Sequence, residues 1–190
     1  MHDDFEPVAG RIFVAISPPD YATRRVAEIQ KKDDPRKQLR WVPPEKRHLT
    51  LAFFGEMEAE KQLELARLLQ NVRVRRFYLE LKGLGVFPGK GKPQVLWAGL
   101  APADPLLFQL HGKIEQIVLD LGFEPDLRRF NPHVTLARCN ERASGVVQRI
   151  LKRNADFGSA PFEVAEVILY ASQFHPGGSV YTELLKIPFH

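Results

Sequence analysis

Two histidines in this 190-residue chain are each followed, two positions later, by a threonine, in the segments HLTL and HVTL. The chain has only four threonines, and two of them, Thr50 and Thr135, follow His48 and His133 in this pattern. Both segments are rich in apolar and β-branched residues, which predicts strands, and residues i and i+2 of a strand point to the same face. Each pair therefore presents an imidazole and a hydroxyl side by side.

Two imidazoles and two hydroxyls that face one cleft suit the hydrolysis of a phosphodiester. Histidine has a pKa near ~6.5, so one ring can protonate a leaving oxygen while the other takes a proton from water. Threonine hydroxyls can donate hydrogen bonds to phosphoryl oxygens as negative charge builds on them. A 2′,3′-cyclic phosphate is a suitable ester because its five-membered ring is strained. Residue chemistry alone leaves open which histidine is the acid and which the base.

Other chemistries find less support in the sequence. Because there is no HxH, HExxH or DxH pattern, no metal site is expected. No GxSxG segment is present for a serine nucleophile. Two alternatives stay open: the motifs are the polar faces of two half-buried strands, or they belong to a non-catalytic nucleotide- or RNA-binding module that only holds phosphate.

Strand and helix patterns alternate along the chain in two similar halves, 11–90 and 94–189, within one α/β (α+β) domain spanning 1–190. The order of strand, helix, strand, helix and strand recurs, which predicts two lobes related by a pseudo-twofold axis around a central cleft. The predicted strands are 11–17, 48–55, 77–87, 94–100, 133–139, 162–174 and 181–189. The predicted helices are 18–32, 57–70, 103–122 and 144–154, and 31–45 is predicted to be a polar loop.

Composition and charge fit a globular protein with an anionic partner. The chain is 44% hydrophobic and 26% charged, with a net charge of +4 that permits RNA or nucleotide binding. No apolar run approaches the ~20 residues needed to cross a bilayer, and the acidic N-terminus is no secretory signal. Cys139 is alone, which rules out an internal disulfide. We therefore expect a cytoplasmic monomer that does not associate with membranes.

The motif segments also resemble a known family. HLTLAFFG and HVTLAR are similar to the paired signature of the 2H phosphoesterase superfamily. The chain resembles its RNA 2′,3′-cyclic phosphodiesterase branch, also called 2′-5′ RNA ligase, in RIFVAISPP, RWVPPEKRHLTLAFFGE, LKGLGVFP, VLWAGL, LGFEPDLRRFNPHVTLAR and FHPGGSVYTELLKIP. The resemblance implies two mainly antiparallel sheet lobes with outer helices, a basic cleft and no metal or other cofactor. C-terminal strands that cross between the lobes fit this fold.

The same resemblance implies an activity and a role for each motif residue. It implies hydrolysis of RNA 2′,3′-cyclic phosphate ends, or of cyclic nucleotides, to 2′-phosphomonoesters, together with reversible 2′-5′ RNA ligation at the same site. His48 would be the acid that protonates the 3′ leaving oxygen, and His133 the base that activates water. Thr50 and Thr135 would hold the phosphate oxygens. Arg138 matches a basic position of the motif and would pair with phosphate, although strict strand alternation points it away from the cleft.

Further residues are candidates for binding the rest of an RNA substrate. Lys92 in the basic PGKGKP loop and Arg129 just before the second motif could contact the RNA backbone. Aromatic rings near the motifs could stack on a base, and the candidates are Trp41, Phe54, Phe130 and Tyr181. His111 on a predicted helix is expected to face solvent.

Overall fold

The computed structural model describes residues 5–102, 104–176 and 178–189, which form a mixed α+β fold. The helices are α1 (Asp20–Thr23), α2 (Arg25–Asp33), α3 (Ala59–Gln70), α4 (Pro105–Asp120) and α5 (Ser144–Arg153), with a short 3₁₀ turn at Pro44–Lys46. The strands are β1 (Arg11–Ile16), β2 (Leu39–Trp41), β3 (Leu49–Glu56), β4 (Phe77–Leu79), β5 (Leu81–Phe87), β6 (Val95–Leu100), β7 (Val134–Cys139), β8 (Phe162–Val164), β9 (Glu166–His175) and β10 (Gly178–Pro188).

Eight strands form one sheet in the order β10-β9-β1-β3-β7-β6-β5, with β2 paired to β7, and β4 pairs with β8 in a small second sheet. Neighbouring strands of the large sheet are antiparallel. At its centre β3 and β7 share a single residue pair, Leu49 with Val134, whereas other strand pairs are longer. The sheet thus divides there into two lobes, the first with β10, β9, β1 and β3 and the second with β7, β6, β5 and β2.

Sheet order mixes the two halves of the sequence. Strands β9 and β10, from the end of the chain, complete the lobe that contains β1 and β3. Strand β5, from the first half, instead pairs with β6 in the other lobe. The division of the chain into halves at 11–90 and 94–189 stays a prediction.

The core lies between the sheet and the helices. Strand β1 is buried on both faces: Ile12, Val14 and Ile16 join the main core, whereas Phe13 and Ala15 join a small aromatic cluster on the opposite, cleft-facing side. The amphipathic helices bury one side each, as α4 does with Leu107, Leu110, Ile114, Ile117 and Val118. No helix within the described ranges has the length and apolar character to cross a membrane.

Both motif strands contain a β-bulge at the same place. On β3, Ala15 pairs with Thr50 and Val14 with Ala52, so Leu51 is an extra residue. On β7, Trp97 pairs with Thr135 and Leu96 with Ala137, which makes Leu136 the extra residue. A bulge shifts the alternation of the following side chains by one position.

Several element boundaries differ from the sequence prediction. The strand predicted at 77–87 is two strands, because Glu80 separates β4, which pairs with β8, from β5 in the large sheet. The strand predicted at 162–174 is divided in the same way at Ala165. The first predicted helix is interrupted at Arg24, and the predicted loop at 31–45 contains β2.

A buried carboxylate holds β2 in place. Asp34 is 2% exposed, and it accepts hydrogen bonds from the backbone N–H groups of Gln38 (2.7 Å) and Leu39 (3.0 Å). It also accepts one from the indole N–H of Trp41, at 2.9 Å. The carboxylate thus folds the loop back so that β2 meets β7.

Replacing Asp34 by alanine is predicted to destabilise the protein. One buried and two partly buried donors would lose their acceptor, and we expect the free energy of unfolding to fall by about 2–4 kcal/mol. Denaturant unfolding measures this change. Asp126→Ala is the control, because the Asp126 carboxylate is exposed and, within the described parts of the chain, bonds only its near neighbour Arg128. Equal effects of the two substitutions would contradict the role given to Asp34.

Candidate active site

The single pair between β3 and β7 brings the two motifs together. Leu49 and Val134 are opposite each other, and both are buried on the core side, at 2% and 1% exposure. Continuing this antiparallel register by one residue in each direction sets His48 opposite Thr135 and Thr50 opposite His133. All four side chains then share the face that points away from the core.

On that face lies an open cleft of about 250 Å³. His48, Thr50, Thr135, Arg138 and Tyr181, all predicted site residues, line it. Further lining comes from Phe13, Val42, Lys46, Phe53 and Ser172. His133 is half-buried beside this cleft, near enough for a charge on its ring to act on the ring of His48.

The two imidazoles are held in the same way. Nδ1 of His48 is 2.8 Å from the carbonyl oxygen of Lys46, and Nδ1 of His133 is 2.8 Å from that of Asn131. A carbonyl can only accept, so each Nδ1 carries a proton and donates it. Each Nε2 is left to accept or donate a proton, which is what acid–base catalysis requires.

Aromatic side chains fix the plane of each ring. The His48 ring lies 5.0 Å from that of Phe13 and 5.4 Å, edge to face, from that of Tyr181. The His133 ring lies 5.0 Å from that of Phe87 and 6.1 Å from that of Trp97. Gly85 makes room for the indole of Trp97, since a Cβ there would overlap its ring.

Burial lowers the pKa of His48. Desolvation of the charged ring is the largest cause, the hydrogen bond to the Lys46 carbonyl acts in the opposite direction, and the charge of His133 adds to the lowering. The neutral ring of His48 is therefore favoured in the free protein.

The segment that leads into His48 is anchored by its basic residues. Arg47 is 5% exposed, and its guanidinium donates to the carbonyls of Val42 (3.0 Å) and Thr23 (3.3 Å). Burial lowers the pKa of this guanidinium. The Lys46 ammonium donates to the carbonyl of Ser179 at 2.7 Å, so the segment also reaches β10. Neither anchoring role was predicted, because a basic pair before a strand is usually exposed.

The bulges decide which side chains reach the cleft. The Leu136 bulge shifts the alternation of β7, and Arg138 lines the cleft although strict alternation from Thr135 points it away. The Leu51 bulge does the same for Phe53, whose ring is 61% exposed in the cleft. Phe53 follows His48 by five residues, as Arg138 follows His133. Phe53 was not predicted, and its matching position in the first motif is the signal that could have found it.

The other predicted aromatic residues pack elsewhere. Phe54 is 8% exposed in the core, Trp41 donates to Asp34, and Phe130 stacks at 3.7 Å on His111. His111 therefore packs against the loop before β7, and the prediction that it faces solvent was wrong. Of the four candidate stacking rings, only Tyr181 lines the cleft.

The two predicted backbone-binding residues lie on loops. Arg129 is exposed in the loop between α4 and β7, and Lys92 is exposed in the loop between β5 and β6. Neither is among the residues that line the cleft. Throughout the part of the chain that the structure describes, His, Cys, Asp and Glu side chains form no group of three that could bind a metal.

The fold and the paired His-x-Thr motifs define a bilobal phosphoesterase, and sequence comparison gives the family. The model of the LigT-like phosphoesterases matches residues 16–97 and again residues 100–181, and the chain belongs to this family. The fold is that of the 2H phosphoesterases, as predicted. The crystal structure of Escherichia coli LigT complexed with 3′-AMP superposes with a TM-score of 0.79 at 29% identity, covering 96% of this chain and 99% of that one.

Curated relatives are named RNA 2′,3′-cyclic phosphodiesterase. The protein of Aeropyrum pernix is 32% identical over 150 residues, which cover 78% of this chain and 85% of that protein. The protein of Thermus thermophilus is 33% identical over 188 residues, which cover 93% of this chain and 88% of that protein.

The environment of His48 predicts a low titration midpoint for its ring. In NMR titrations of the free protein we expect the His48 midpoint below the ordinary value of 6.5, because burial disfavours the charged ring. Tyr181→Ala opens one side of the ring to water and should move the midpoint upward. Tyr78→Ala, an exposed residue on β4, should leave it unchanged. A midpoint at or above 6.5 in the unaltered protein would refute this account.

Proposed function

We propose that this protein is a metal-independent hydrolase that opens RNA 2′,3′-cyclic phosphate ends, or nucleoside 2′,3′-cyclic phosphates, to 2′-phosphomonoesters. The observation that carries the proposal is the pairing of Leu49 with Val134, whose register sets both motifs on one face, together with the bonding of both histidines through Nδ1, which leaves Nε2 available. The names of the curated relatives agree with this reaction.

In the proposed reaction, His133 is the base and His48 the acid. Nε2 of His133 takes a proton from water as the water oxygen bonds to phosphorus. The bond between phosphorus and O3′ then breaks, and Nε2 of His48 gives its proton to O3′. The products are a 3′-hydroxyl and a 2′-phosphomonoester. Thr50 and Thr135 donate hydrogen bonds to the nonbridging oxygens, on which charge builds.

Substrate charge prepares His48 for the acid role. In the free protein its pKa is lowered, chiefly by burial. A phosphodiester carries one negative charge, and an anion beside the ring favours the imidazolium and so raises its pKa. His48 would therefore take up its proton as substrate binds and would hold it until O3′ leaves.

Phe53 and Arg138 are proposed to hold the terminal nucleoside. They occupy equivalent positions after the two histidines and line the same cleft, one from each lobe. An exposed ring can stack on one side of a base, and a guanidinium plane on the other. Tyr181 is proposed to contact the ribose or phosphate beside His48, while Arg129 and Lys92 attract the RNA strand from their loops.

Two further features complete the proposal. A 5′-hydroxyl that takes the place of water would form a bond to phosphorus as the bond to O3′ breaks, and the product would be a 2′-5′ linkage with a free 3′-hydroxyl. We assign this ligation as a secondary activity. One chain supplies both histidines and both threonines, so a monomer suffices, and we infer a cytoplasmic location from the lone Cys139 thiol.

The alternative is a module that binds nucleotides or RNA in this cleft without turning them over. Holding phosphate needs hydrogen-bond donors, but it does not need two rings with Nε2 positioned for proton transfer. Incubating a 2′,3′-cyclic nucleotide with the protein in excess EDTA separates the two. A 2′-phosphate product supports the hydrolase, whereas binding without turnover supports the module.

Removal of either histidine is predicted to stop turnover without unfolding the protein. His48→Ala and His133→Ala should each lower kcat at least ~10²-fold on a cyclic-ended oligonucleotide, because each removes one proton transfer. Circular dichroism and thermal unfolding check the fold. His111→Ala is the matched control, since His111 lies outside the cleft, and it should keep its activity. A variant at 48 or 133 with full turnover would overturn its assigned role.

The threonine hydroxyls are predicted to act as donors in the transition state. Thr50→Val keeps the shape but removes the donor, and we expect kcat to fall roughly 10²-fold. Thr50→Ser keeps the donor and should retain most of the activity. The same pair of substitutions at Thr135 tests the second hydroxyl. Equal activity of the Val and Ser variants would show that the hydroxyl does not matter.

A further inference from the structure

An exposed aromatic ring extends the cleft beyond the residues that line it. Phe174 is 69% exposed on β9 and lies two residues after Ser172, a lining residue. The register between β9 and β10 is regular here, with Ser172 opposite Tyr181 and Phe174 opposite Ser179. Because side chains alternate along a strand, the Phe174 ring is on the same face as Ser172 and Tyr181.

Arg11 joins this extension from the neighbouring strand. It is the first residue of β1 and alternates with Phe13 onto the cleft face, opposite Ser172 in a regular register. The carbon of its guanidinium is 4.5 Å from the centre of the Phe174 ring. Among the residues that the structure describes, it forms no ion pair with a carboxylate. Its charge is therefore available to an anion.

We propose that Phe174 and Arg11 form a second-nucleotide subsite, which binds the nucleotide on the 5′ side of the one that carries the cyclic phosphate. This inference rests on the proposed function, since it uses the same cleft and the same substrate end. Phe174 stacks on the base of the second nucleotide. The guanidinium of Arg11 lies over one face of the ring, so the base stacks on the other face, and the guanidinium pairs with the phosphate that joins the two nucleotides.

The two rings lie at opposite ends of the extended cleft, with Arg11 between them. Phe53, proposed to stack on the terminal base, is on β3 and is level with Phe13 on β1 and Tyr170 on β9, whereas Phe174 is four residues farther along β9. Two strand spacings and four residues along a strand are together roughly 16 Å, so the two adjoining bases must splay apart to reach both rings. Single-stranded RNA binds proteins through this combination of exposed rings and positive charge.

The chemistry of the substrate end places such a subsite on one side of the terminal nucleotide only. A cyclic phosphate closes the 3′ terminus, so the strand leaves the cleft in one direction, through the 5′ oxygen of the terminal ribose. A single stacking ring next to the catalytic cleft is therefore matched to an RNA end rather than to an internal linkage. The substrate class that follows is an RNA strand of at least two nucleotides, preferred over a cyclic mononucleotide.

Equilibrium binding tests the subsite without requiring turnover. The probes are a dinucleotide and a mononucleotide that each end in a 2′-phosphate, titrated by calorimetry against the unaltered protein, Phe174→Ala, Phe174→Trp and Arg11→Gln. We expect the dinucleotide to bind more tightly than the mononucleotide. Phe174→Ala should weaken dinucleotide binding roughly five- to a hundredfold and leave mononucleotide binding within twofold. Phe174→Trp should preserve the preference, and Arg11→Gln should reduce it.

A matched control variant and turnover measurements distinguish failure of the subsite from failure of the proposed function. Tyr78→Ala removes a similarly exposed ring, 62% exposed on β4, and should change neither affinity. Equal affinity of the two probes for the unaltered protein, or equal weakening of both by Phe174→Ala, would overturn the subsite. Hydrolysis of the two corresponding cyclic phosphates is measured in parallel. If neither is hydrolysed, the proposed function fails, while the binding preference still decides the subsite.

Discussion

The arrangement of the site depends on one backbone pair, between Leu49 and Val134, at which the two lobes meet. A longer ladder would continue the sheet and close the space between the motifs. No ladder at all would leave each motif on a separate lobe. With one pair, the strands touch where the motifs begin and diverge beyond it, and the polar faces of both remain open to one substrate. Two buried apolar side chains thus fix the relative position of four polar ones.

The bulges at Leu51 and Leu136 explain how two short strand segments present so many functional side chains to the cleft. Regular alternation would present every second residue to the cleft, and the position three after each threonine would point to the core. The extra residue in each strand shifts the alternation by one position, so Phe53 and Arg138 lie on the polar face with the threonines. Because the same irregularity occurs in both motif strands, the cleft has an aromatic side and a cationic side at equivalent places.

Sequence patterns were sufficient for the motif strands and the longer helices, because these elements depend on local periodicity. The four motif residues were predicted because His-x-Thr occurs twice in a chain with few threonines.

Three features of the structure could not be predicted from the sequence. The division of 77–87 at Glu80 depends on pairing with β8, which is far away in sequence. Arg47 and Asp34 carry charge yet are buried, and only the folded contacts reveal their partners. Phe53 and Phe54 are adjacent apolar residues, and the bulge alone decides which is exposed.

The late position of β9 and β10 in the chain has a consequence for biosynthesis. Tyr170 and Tyr181, which surround His48, lie on these strands, whereas His48 itself is translated more than a hundred residues earlier. Until β9 has been translated, the edge of β1 that will pair with it has no partner and is open to association with other nascent chains. The lobe that contains β1 and β3 therefore closes only after β9 and β10 have been synthesised, and a product terminated before them would lack the aromatic walls around His48.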